Sequence, residues 1–244
     1  MRRGLVGTMK RLSFVPGALL AIATGVAWAQ TSFTVTPLRV ELSAQTPAAV
    51  VEVINTTPGP LTIQVQQRAW IQADGTDSQA DVRDLIVSPG IFTMQRGEKQ
   101  VVRVAMRGAP DPKVERAYRL LVSEVPVPQL STMPDASGFR VALRMDLPLL
   151  VAPLQAAKAD ATYAYDSANA RLIVRNSGTR HVRYTDAVLL QAGRKLAELP
   201  VFTVLAGGAR HFDLSKERVD AGSELRLQAE SNAGPIDAAV PRAP

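Results

Sequence analysis

The side chains that most often carry chemistry are scarce in this sequence and far apart. There are two histidines, His181 and His211, and no cysteine. Each imidazole stands without a partner at metal-ligand spacing. His181 follows turn residues and His211 follows Gly207-Gly208, so both read as surface residues with no catalytic or ligating role. The lack of cysteine removes thiol nucleophiles, thiolate zinc sites and iron–sulfur clusters. Asp74, Asp77, Asp81 and Asp84 gather in one polar stretch, but their spacing does not fit a calcium loop, and they read as a solvated connection. No nucleophile elbow, zinc-protease helix motif, phosphate-cradling loop or dinucleotide fingerprint is present. Trp70, at the end of the candidate strand Leu61–Ile71, reads as a core residue, and so few aromatic residues make a poor carbohydrate platform. The expectation is a protein that is not an enzyme, with no catalytic residue, no metal, no cofactor and no small-molecule substrate.

What remains is binding through backbone and apolar side chains, and one segment is built for it. Gly138–Pro153 reads GFRVALRMDLPLLVAP. In a strand, Phe139, Val141, Leu143 and Met145 share one face, and Arg140, Ala142, Arg144 and Asp146 share the other. The apolar stripe must be buried, either in the domain's own core or against another chain. A polar, proline-containing stretch from Pro126 to Ser137 precedes it, which suits a protruding edge strand.

The elements around this strand are short β runs. Candidates are Phe33–Leu42, Ala49–Asn55, Leu61–Ile71, Ile91–Met94, Lys99–Met106, Tyr118–Val125 and Phe139–Leu150. A second set comprises Thr162–Tyr165, Arg171–Arg175, Arg183–Gln191, Phe202–Leu205, Ala209–Asp213 and Glu224–Ala229. Turn residues separate them, helical periodicity is hard to find, and Ile71–Arg83 reads as a polar loop. Many short strands at this spacing predict an all-β chain of two immunoglobulin-like sandwiches. The boundary falls at Pro153–Asp160, giving a first domain over residues 30–153 and a second over 154–244. Each half carries a β run that ends in Asn and turn residues, Val51–Asn55 and Arg171–Asn176, as related sandwiches would. The tail from Ala233, rich in alanine and proline, reads as frayed.

The first residues read as an address rather than as structure. Arg2, Arg3, Lys10 and Arg11 precede an apolar run that ends at Ala27-Trp28-Ala29, the pattern of a signal peptide cleaved after residue 29. Pro16, Thr24 and Gly25 interrupt the run too early for it to span a bilayer. The formal charge of +6 falls to +2 without these four cations, and no basic run remains to suggest nucleic acid as a partner.

The order of segments resembles the periplasmic chaperones of the chaperone–usher pilus pathway. The resemblance rests on Thr36-Pro37-Leu38-Arg39-Val40, Val51–Asn55, Gln67-Arg68-Ala69-Trp70 and Ser88-Pro89. It continues through Arg96–Val104, Glu115–Leu120, Glu124-Val125-Pro126 and Val141-Ala142-Leu143, and ends at Leu149–Pro153. It covers the first domain; the second matches mainly through Asn176-Ser177-Gly178 and its β character. The resemblance implies two immunoglobulin-like domains set at an angle and a location in the periplasm. It further implies pilin-like subunits as guests, stabilised by donor-strand complementation without ATP, and an outer-membrane usher as the receiving partner. On this chain the lending strand would insert Phe139, Val141, Leu143 and Met145, and Arg39 would grip the guest's C-terminal carboxylate. The second basic residue of that grip aligns with Pro148, and Ala152 replaces a basic residue common before the terminal proline. These departures point to a divergent branch, of the archaic or spore-coat-like kind. Arg103 and Arg144 are the candidates to supply the missing charge. The free protein could cap its apolar edge by self-association. The alternative from another class is a secreted structural or adhesive sandwich, such as a pilus subunit.

Overall fold

The computed structural model describes residues 31–126 and 142–243. The expected signal peptide therefore lies outside the described residues, as do Phe139 and Val141. All regular elements among the described residues are strands. The first ten are β1 (Phe33–Thr36), β2 (Val40–Leu42), β3 (Ala48–Asn55), β4 (Leu61–Ala73), β5 (Thr76–Asp81), β6 (Leu85–Ser88), β7 (Ile91–Met94), β8 (Lys99–Met106), β9 (Arg116–Glu124) and β10 (Arg144–Val151). The rest are β11 (Ala161–Asp166), β12 (Arg171–Asn176), β13 (Val182–Gln191), β14 (Arg194–Glu198), β15 (Phe202–Val204), β16 (Ala209–Asp213), β17 (Leu225–Ser231), β18 (Ile236–Ala239) and β19 (Arg242–Ala243).

Strands β1–β10 make two sheets, ordered β1-β3-β8-β6 and β2-β10-β9-β4-β5, with β7 also paired to β4. Their inward residues, such as Phe33, Val53, Ile63, Val104, Leu120 and Leu149, close one apolar core. Strands β11–β19 make two more sheets around a separate core that includes Leu172, Tyr184, Leu189 and Leu227. This is the two-sandwich, all-β architecture expected from strand spacing.

Four local expectations are corrected. Phe33–Leu42 is not one strand: β1 pairs with β3 in one sheet, and β2 pairs with β10 in the other. Pro37 lies at the switch, where it has no N–H to give either ladder. Ile71–Arg83 is not a loop, because β4 and β5 form a hairpin through Asp74 and Gly75, both at positive φ. This ribbon is exposed on nearly every β5 residue, so it needs no apolar alternation and left none in the sequence. The tail is not frayed: β18 pairs with β17, β19 pairs with β11, and Val240 is buried between them. His181 is not a surface residue either; it is 2% exposed.

Candidate functional site

β10 is positioned by unequal partners on its two sides. On one side β9 pairs along its whole length, from Arg144↔Ser123 to Val151↔Arg116. On the other, β2 pairs in parallel and only with Leu149–Val151. Among the described residues no strand pairs with Arg144–Pro148 on that side, so this stretch is a free edge. The apolar stripe deepens along the strand. Leu143 and Met145 are half-buried against the first core, whereas Leu147 and Leu149 are fully inside it.

The free edge stops where β2 begins, and the residue before β2 is Arg39. Arg39 lines a cleft of about 530 Å³ between the two sandwiches. Pro148 and Leu150 of β10, Arg119 of β9, and Arg183, Phe202 and Arg210 of the second domain face the same space. Among the described residues four guanidinium groups thus line it, and Asp77 is the one carboxylate. The excess of fixed positive charge suits an anion, and arginine donors suit a carboxylate.

Arg39 is held from two directions. Its Nε lies 2.9 Å from Glu41 Oε1, and its Nη2 donates to His181 Nε2 at 2.6 Å. Arg119 is directly opposite Pro148 in the β9–β10 register. Its guanidinium stacks 3.5 Å above the Trp70 ring, and Asp146 lies 3.5 Å from Nη1. Burial, joined by the nearby Arg210 charge, lowers the Arg119 pKa against the pull of Asp146 and Asp77. Trp70 is buried, yet it stands outside the first apolar core and serves as the floor under Arg119. Its indole N–H donates to Asp77 at 3.1 Å. Asp77 also accepts from Gln72 at 2.9 Å and from Arg210. Burial alone would raise the Asp77 pKa, but the bonds from Gln72, Trp70 and Arg210 outweigh it and hold the carboxyl below the ordinary value.

Of the residues singled out from sequence, the structure brings Arg39 to the cleft and sets Leu143 and Met145 on the strand leading toward it. Phe139 and Val141 fall outside the described residues. Arg103 and Arg144 do not line the cleft; both are exposed, Arg103 on β8 of the other sheet. Arg119, Arg183, Arg210, Trp70, Asp77 and His181 escaped sequence reasoning. Only the register of β9 against β10 could have flagged Arg119, and a register is not visible in a single strand's pattern.

The fold is similar to several solved structures. One is the CsuC–CsuE chaperone–tip adhesion subunit pre-assembly complex from archaic chaperone–usher Csu pili of Acinetobacter baumannii. That match has 17% identity and a TM-score of 0.67, over 88% of this chain and 100% of that one. A second is the SafA pilin with the SafB chaperone of Salmonella enterica, at 16% identity and TM-score 0.62, covering 88% and 99% of the two chains. A third is the CupB2 chaperone of Pseudomonas aeruginosa, at 19% identity and TM-score 0.57, covering 85% and 100%. No curated relative matches the sequence. The family model for the pili and flagellar-assembly chaperones, PapD N-terminal domain, matches residues 32–157, more than half of the chain, and the chain belongs to that family.

Proposed function

We propose that the protein is a periplasmic assembly chaperone that lends the free edge of β10 to pilin-like subunits, grips their C-terminal carboxylate in the cleft, and passes them to an outer-membrane usher. The observation that carries this reading is the edge itself, half-buried apolar side chains on a strand whose open side ends at a cationic cleft. A guest strand on this edge takes the place that β2 takes beside Leu149–Val151. Laid parallel to β10, as β2 is, it brings its C-terminal end to Arg39. Phe139, Val141, Leu143 and Met145 then insert into the guest. Each such side chain contributes roughly 1.5–3 kcal/mol on full burial, which makes ATP unnecessary for holding a subunit. Arg39 is the first cation of the anchor. Arg119 is the second, supplied from the neighbouring strand at the position where β10 carries Pro148. The signal-peptide pattern of the first residues supports export to the periplasm, and the chaperone works by strand pairing rather than by catalysis.

Co-expression with a pilin-like subunit encoded beside this chain tests the reading. A soluble one-to-one periplasmic complex is expected. Leu143→Glu should abolish it while the free protein keeps its β circular dichroism and melting temperature. Full complex yield with that variant rules out β10 as the lending strand.

A further inference from the structure

His181 is fully enclosed where the two domains meet. It belongs to the second domain, yet its ring is held mainly by two residues of the first, Glu115 and Arg39. Nδ1 lies 2.6 Å from Glu115 Oε1, and the same oxygen accepts the His181 backbone N–H at 3.0 Å. Nε2 faces two groups that can only donate, Arg39 Nη2 at 2.6 Å and the Asn232 side-chain amide nitrogen at 3.0 Å. A guanidinium has no acceptor, so Nε2 must present its lone pair and the proton must sit on Nδ1, donated to Glu115. The Glu115 side chain is only 7% exposed. A neutral imidazole therefore links a buried carboxylate to the Arg39 cation across the domain junction. Glu115 is fixed in turn, its backbone N–H donating to Thr179 O of the second domain at 3.0 Å.

We infer that His181 is the positioning residue for Arg39: as the Nδ1–H tautomer it carries the hold of Glu115 to the guanidinium and orients that group toward a peptide C-terminal carboxylate. The inference rests on the reading of Arg39 as a carboxylate anchor. An arginine side chain is long and rotamer-rich, and an anchor that must meet an incoming chain end gains affinity when its geometry is fixed beforehand. One Nη2 proton faces His181 and Nε sits beside the Glu41 carboxylate, which leaves the other Nη protons for the guest.

Two measurements on the mature full-length chain test it. Long-range proton–nitrogen NMR of the His181 ring at neutral pH should show a protonated Nδ1 and a bare Nε2. An Nε2–H tautomer or an imidazolium overturns the inference, whatever the protein binds. The second measurement compares a fluorescent peptide of alternating valine and threonine with a free C-terminal carboxylate against the same peptide amidated. The wild-type chain should prefer the acid by about tenfold, as one charge-assisted contact would give. His181→Phe should erase the preference without changing affinity for the amide. His181→Gln, whose amide can donate to Glu115 and accept from Arg39, should restore it. His181→Asn, which reaches Glu115 but stops short of Arg39, covers the case in which the Phe variant does not fold, and it should also lose the preference. Retained preference in a folded Phe or Asn variant overturns the positioning role. If the wild type itself shows no preference, Arg39 is not the anchor, and the role assigned to His181 falls with it even where the tautomer is the expected one.

Discussion

At the scale of single residues, two asparagines show how closely the sandwiches echo each other. The Asn55 side-chain amide donates to Gly59 O, Met94 O and Gln95 O at 2.8–3.1 Å. Asn176 donates to Arg180 O, Val204 O and Leu205 O at 2.7–3.4 Å. Both side chains are buried, so removing either takes away the one amide that ties three carbonyl groups together at the end of its strand. Asn55→Ala and Asn176→Ala should each lower stability by roughly 1–3 kcal/mol, read from the urea midpoint. The repeat was legible because each asparagine ends a strand beside turn residues. The proposed anchor was only half legible. Arg39 is marked by its neighbours in sequence, whereas Arg119 is marked only by lying across from Pro148. That register gives a sharp test of the second cation. Arg119→Ala should weaken guest binding about tenfold, as the loss of one charged hydrogen bond would. Adding Pro148→Lys should return part of that affinity by placing a cation on the facing strand, and no recovery, or no loss in the first place, would remove Arg119 from the anchor.

At the scale of elements, the alternating pattern of β10 located the strand but not its two regimes. A period of two says which side chains share a face, and nothing in it says how deep that face sits. The structure separates them, with Leu147 at 3% exposure inside the first core and Leu143 and Met145 at its margin. The same chemical change should therefore have opposite consequences two turns of the pleat apart. Leu147→Glu forces a charge into a dry core and should unfold the first domain, seen as loss of the cooperative melt. Leu143→Glu should spare the fold and remove only the guest. The strands that sequence missed, β5, β6, β14, β18 and β19, share a cause. They are short or exposed on both faces, so no apolar alternation marks them, and pairing alone defines them.

At the scale of the whole molecule, the β4–β5 hairpin is what makes the cleft a fixed shape. Its polar residues read as a solvated connection because their partners are more than a hundred positions away. Gln72 accepts the Leu205 N–H and donates to Thr203 O, both at 2.8 Å, and Asp77 pairs with Arg210. Gly75 packs so tightly on the His211 ring that a Cβ there would fall inside it. The folded state lowers the Asp77 pKa, and the part of that shift owed to Arg210, the cause that comes from the second domain, favours the docked domains. That contribution is present above the ordinary value of 3.8 and is lost as pH falls through the lower folded value. Asp77 is partly open to solvent, so the effect should loosen the hairpin rather than unfold either sandwich. The Leu205 amide reports it directly through its bond to Gln72. Its hydrogen exchange, corrected for the intrinsic pH dependence, should lose protection as acid protonates Asp77, while core amides such as that of Leu189 hold theirs. Asp77→Asn should show the loosened behaviour already at neutral pH and flatten the response to acid. Equal loss of protection at Leu205 and Leu189 would mean that the domains unfold together and that the hairpin is not a separate clasp.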